Sequence, residues 1–214
     1  MEPLAEVDIQ ISPIDELRSR EFLTEFGVSA ETQDELMDAA RRGDFGMAED
    51  PRAVPVSVEQ RVVRGSDREV LRYSDGSVSV LETQRPTVLQ SGLGISPAAV
   101  TGCTVRSGTG YTNYTGCKVH YRSHIFSFGF YANFSTHPGI NNDQISSARS
   151  QFQDYAIGHS RASWSLRIIK QRETSAGPAH ALLAIEYNIL PNLGQVTKKT
   201  RLKVGSNTYW QENV

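Results

Sequence analysis

The chain has 214 residues, with 24 acidic against 22 basic side chains and a formal net charge of −2. Charged residues make up 21% and apolar residues 38%, a globular balance that excludes a disordered chain. No basic field exists to displace the counterions of a nucleic acid, and no apolar run approaches the roughly 20 residues that span a bilayer. Nucleic acid and a membrane span are therefore both excluded as expectations.

Residues 1–50 read as a helical N-terminal extension and linker. The opening "MEPLAEVDIQ" is acidic and lacks the basic and apolar regions of a signal peptide. "SPIDELRSREFLTEFG" offers Ser12 as N-cap, Pro13 at the first helical position, Asp15 at the capping-box position and Gly27 past the end. Ile14, Leu17, Phe22 and Phe26 form an apolar stripe near helical spacing. "SAETQDELMDAARRG" predicts a second helix with Ser29 as cap and Gly43 as stop. Two helices this short are marginal alone. They must dock on the main domain, dock on a partner or stay mobile, and Phe22 and Phe26 form one candidate partner-binding surface. "GDFGMAEDPRAVP" then reads as an extended, flexible linker.

From Val54 to the end the signal is β. "VPVSVEQRVV" alternates, and "REVLRYSDGSVSVLET" is a hairpin centred on Ser74-Asp75-Gly76. Short alternating segments without intervening helices predict an antiparallel β-sandwich over 54–214, immunoglobulin-like or jelly-roll-like. "NNDQISSARSQFQDYAIG" fits a helical turn or a strand. Cys103 and Cys117 lie 14 apart around a turn-rich loop, a spacing that suits a disulfide across two antiparallel strands, with two reduced structural thiols as the alternative and a metal site favoured least. Closing such a loop contributes about 3 kcal/mol in the chain-entropy treatment. Disulfides persist in oxidising compartments, so secretion is expected.

The run after Cys117, "KVHYRSHIFSFGFYANF", reads as one long central strand, wet at its start and buried later. On that strand His120 and His124 stand roughly 13 Å apart and cannot share a metal ion. No metal and no cofactor are expected, since "GLG" and "GTG" open no strand-to-helix turn. No G-x-S-x-G elbow occurs, and His137 and His159, read as loop residues, are the remaining hydrolase candidates. The basic run "TKKTRLK" reads as the solvent face of a strand. In the loop "SGTGYTNYTG", Tyr111 and Tyr114 supply rigid amphipathic area and Asn113 adaptable hydrogen bonding, a second candidate binding surface.

"LRYSDGSVSVLET", "GCTVRSGTGYTNYTGCKV" and "FSFGFYANF" resemble a group of small secreted single-disulfide β-domain proteins of Gram-positive soil bacteria, over roughly residues 12 to 205. The resemblance implies secretion, a bacterial source and an adaptor role within extracellular toxin assemblies. It implies no activity. The expectation for function is a secreted, non-enzymatic protein that binds another secreted or cell-surface protein. A glycan-binding module and a hydrolase stand as alternatives.

Overall fold

The computed structural model describes residues 8–88, 102–190 and 193–214. Ser12 has extended backbone and its hydroxyl accepts the Asp15 N–H, which opens α1 (Pro13–Glu25). Ser29 caps α2 (Ala30–Arg41) in the same way through the Thr32 N–H. Each helix stops before a left-handed glycine, Gly27 at φ 73° and Gly43 at φ 83°.

The apolar stripe of α1 is rotated from its expected place. Ile14 and Leu17 face solvent, while Ser19, Phe22 and Leu23 are buried. Phe22 and Phe26 are 1% and 2% exposed, so they are not a partner surface. Together with Leu23 and Leu36 they pack on Val70, Val78 and Val80 of the sheet behind them. Arg122 lies 5.0 Å over the Phe22 ring, and Arg61 lies 5.3 Å over Phe26. Glu25 closes this layer with Arg68 at 2.6 Å and Arg122 at 2.9 Å. The aromatic pair docks on its own domain because the sheet supplies both an apolar floor and cations for the ring faces.

Among the described residues, twelve strands form two sheets. The larger holds β1 (Ser57–Val63), β2 (Ser66–Arg72), β3 (Val78–Gln84), β4 (Thr87–Val88), β5 (Thr104–Gly108), β6 (Tyr111–Ser123), β7 (Phe126–Thr136) and β8 (Gln144–Ala156). The smaller is a meander of β9 (His159–Lys170), β10 (Ala179–Ile189), β11 (Gly194–Gly205) and β12 (Thr208–Asn213). Pairing is antiparallel apart from the short β4–β5 contact. β3 and β5 share one edge of the long β6, so the larger sheet runs β1-β2-β3-β6-β7-β8 across most of its width. The segment left ambiguous between helix and strand is β8. The fold is a mainly β, antiparallel sandwich with a short helical N-terminal extension. Val119, Tyr121, Phe128 and Phe130 from the larger sheet meet Leu183, Ile185, Tyr187 and Leu202 from the smaller.

One expectation fails here. The run after Cys117 is not one strand. The Ser123 hydroxyl accepts the N–H groups of Ile125 at 3.2 Å and Phe126 at 2.9 Å, and the chain reverses there. Val119 then faces Phe130 and Tyr121 faces Phe128 across a hairpin. The disulfide between Cys103 and Cys117 ties the start of β5 to β6, as the spacing predicts.

The supposed flexible linker is pinned. Its 3-10 turn Met47–Glu49 buries Ala48, and the Met47 N–H donates to Asp75 Oδ2 at 2.6 Å. Glu49 is 5% exposed and accepts from Ser123 of β6 while forming an ion pair with Lys198 of β11, itself 14% exposed. One carboxylate thus links the helical extension to both sheets. Removing one partner of a buried pair leaves an uncompensated charge, whereas removing both does not. Lys198→Met is therefore expected to lower unfolding free energy by roughly 3–5 kcal/mol. The double variant with Glu49→Gln should recover most of that loss in a urea denaturation cycle.

Candidate functional site: a shelf at the open edge of the sandwich

The two sheets differ in width. β12 packs across β3, so β1 and β2 project beyond the edge of the smaller sheet. Facing residues in the ladder share a side, and one side carries the pairs Val58–Leu71, Gln60–Glu69 and Val62–Asp67. That side continues inward through Glu69–Leu81 and Leu81–Tyr121. Leu81 and Tyr121 are buried in the core, yet Val58 and Val62 are each 53% exposed. The inner face thus begins as core and ends in water. β1 is also a sheet edge, and its apolar run extends back through the exposed Val56 and Val54.

The resulting groove holds about 650 Å³, with β1–β3 as floor and residues 208–211 of β12 as wall. Tyr209 anchors the wall, its ring centroid 4.9 Å from Phe134 and 5.4 Å from Tyr114, and burial pushes its hydroxyl up to about 12. Gln211 is 8% exposed. Its Nε2 donates to Thr200 Oγ1 at 2.8 Å, but its buried Oε1 has no hydrogen-bond partner among the described residues. Such an acceptor costs about 1–3 kcal/mol unless something supplies a donor. On the floor Asp67 is held by Arg85 at 2.7 Å, whereas Glu69 pairs with no cation among the described residues.

The aromatic loop is not the surface expected of it. The turn lies at Thr109-Gly110, so Tyr111, Asn113 and Tyr114 belong to strand β6. Alternation sends Tyr111 and Asn113, both exposed, to one side and Tyr114 to the other. Tyr114 stacks on Phe134 at 4.6 Å and packs against the core. Tyr111 and Tyr114 therefore do not make one binding patch.

The histidines are likewise redistributed. His159 is not in a loop but opens β9, buried between Phe45 and Phe126 at 4.4 and 4.7 Å. His137 does lie in a loop, with Nδ1 4.0 Å from Asp143 Oδ1. Asp143 is fully buried and spent on the backbone N–H groups of His137 and Asn207 at 2.6 and 2.7 Å.

A different cluster, not singled out from the sequence, joins Ser127, His120 and Asp154. His120 Nε2 is 2.9 Å from Ser127 Oγ and 3.4 Å from Asp154 Oδ2, and Ser127 donates to that same carboxylate oxygen at 2.9 Å. A nucleophile relay needs serine and acid on opposite ring nitrogens. Here both meet one nitrogen, and the serine proton goes to the carboxylate. The Asp154 carboxyl is held down to about 2, first by its contact with His120, and burial lowers the His120 pKa. The cluster is wired as a structural knot on the outer face of the larger sheet.

No protein family, curated protein or solved structure matches the chain significantly. The geometry stands alone.

Acid sensitivity follows from two buried imidazoles. Burial lowers His124 and His159 from 6.5 to about 4, against a partial opposing pull on His124 from Asp75 and Asp44. Both ring nitrogens of His124 are buried without a hydrogen-bond partner among the described residues. A depressed histidine binds its proton more weakly in the folded state, so unfolding takes up protons between those pKa values and stability rises with pH there. Stability present above pH 6.5 should therefore be lost as the pH falls towards 4. Melting temperatures across that window are expected to drop, and His124→Leu should flatten the drop.

Proposed function

We propose that this is a non-enzymatic binding protein of the extracellular space that captures a segment of another protein on the shelf beside β12. The observation that carries this reading is the inner-face strip of Val58 and Val62, which continues the core with no covering sheet among the described residues. Exposed apolar area on a continuous patch, rimmed by polar groups, marks interaction sites on soluble proteins. Glu69, which pairs with no cation among the described residues, adds a polar anchor at the same place. The disulfide supports an oxidising compartment. The wiring of Ser127, His120 and Asp154 supports a role without nucleophilic chemistry. The glycan alternative loses its aromatic pair, because Tyr114 is committed to Phe134.

A photoreactive benzophenone side chain at position 62 tests the reading against one at Arg149, exposed elsewhere on the larger sheet. In the medium of the producing culture, position 62 should give a discrete crosslinked protein that excess wild-type chain displaces and Val62→Asp does not. Equal, non-displaceable labelling from both positions would remove the shelf as the capture site.

A further inference from the structure

We infer that the captured segment enters as an added β-strand on the open edge of β12, extending the smaller sheet over β1 and β2. This rests on the capture reading above and goes further by naming the geometry and chemistry of the occupant. Neighbouring strands lie about 4.8 Å apart and stacked sheets about 10 Å apart. A shelf two strands wide, with β12 already over β3, leaves room for one or two more strands at the level of the smaller sheet. Side chains hanging from such a strand would land on Leu71, Glu69 and Asp67 of β2 and, on their outer side, against Val58 and Val62 of β1.

Other occupants fit less well. A second copy pairing β12 with β12 around a twofold axis would set its own β3 beneath its β12, where the first copy holds β2. The two larger sheets would collide, so the occupant is a segment and not another whole sandwich. A strand added to the outer edge of β1 would widen the larger sheet but leave Val58 and Val62 in water. It would also leave the β12 wall of the groove unfilled.

The floor dictates the pattern of the guest. Val58 and Val62 are four residues apart on one side of β1, about 13 Å, with the Gln60–Glu69 pair midway between them. Asp67 is neutralised by Arg85, while Glu69 has no cation of its own among the described residues. An inward-facing sequence of apolar, basic and apolar residues at alternate positions therefore matches the floor. In one-letter terms the guest is Φ-x-(K/R)-x-Φ, with Φ an aliphatic residue. Strand addition gives affinity through main-chain hydrogen bonds and specificity through these alternate side chains.

Two capped peptides test this on the full chain, Thr-Val-Thr-Lys-Thr-Val-Thr and its counterpart with Glu in place of Lys. The lysine peptide should bind about tenfold tighter, the scale of one partly buried charge pair. Glu69→Gln should shrink that preference to less than about threefold, with folding monitored by the unchanged melting temperature of a surface substitution. Hydrogen exchange should show new amide protection at residues 208–213. Equal affinity of both peptides, absence of binding, or protection confined to residues 57–63 would overturn the inference. A displaceable crosslink from position 62 without protection at 208–213 would overturn strand addition alone and leave capture standing. A crosslink from position 62 into residues 89–101 of the same chain would overturn both.

Discussion

A sandwich is stable when the inner face of each sheet is covered by the other, and here the sheets are not the same width. Four strands face a larger sheet whose β1 and β2 lie beyond their reach. An uncovered two-stranded projection would be marginal by itself. It stands because its other side is covered. Val70 of β2 and Val78 and Val80 of β3 bury against Phe22, Leu23, Phe26 and Leu36 of the helices. Burying side chains of this size stabilises by roughly 1.5–3 kcal/mol each before entropy is counted. The helical extension thus holds the shelf from behind, and no described residue covers its inner side. Phe22 and Phe26, expected to meet a partner, instead brace the shelf from behind.

Charge does for the connections what apolar packing does for the layers. Between α1 and the sheet, Arg68 and Arg122 share Glu25 and Glu82, with Arg68 only 8% exposed on its side chain. Between the extension and the smaller sheet, Glu49 and Lys198 meet where three elements converge. Desolvating such groups is costly, and the geometry must be close to offset it. The consequence is positional. A pair satisfied in only one arrangement fixes how the extension sits on the sandwich, which a greasy contact alone would leave free to slide.

Local signals were readable from the residues and non-local ones were not. Ser12, Pro13 and Ser29 announce their helices because capping is chemistry within one turn. Ser74-Asp75-Gly76 announces its hairpin for the same reason, and Cys103 and Cys117 announce their bridge by spacing. The turn at Ser123–Phe126 was hidden, since His124 and Ile125 carry no turn chemistry and the phenylalanines continue on the far side. The Ser123 hydroxyl makes that turn, which becomes visible only with the backbone in place. The shelf was more deeply hidden. Val54, Val56, Val58 and Val62 alternate as a buried face does, and their exposure follows from the width of a sheet more than a hundred residues later. Gln211 gave no signal either, because one amide in "TYWQEN" reads as surface polarity until its carbonyl is found buried.

The two edges that border the shelf are defended differently. Exposed edges invite pairing with other chains, and proteins blunt them with charge and proline. β1 is preceded by Pro55 and carries Glu59 and Arg61 within its span. β12 reads Thr208, Tyr209, Trp210 and Gln211 before its first charge, and that charge, Glu212, is engaged by Lys203 at 2.8 Å and Arg201 at 3.7 Å on its own sheet. Trp210 donates its indole N–H to the same Glu212 carboxylate at 3.0 Å, which draws both outward-facing side chains back over β11. The edge of β12 that overlooks the valines is thereby left without charge or proline. Of these two strand edges, both unpaired among the described residues, the one on β12 is the one without a guard against a new neighbour.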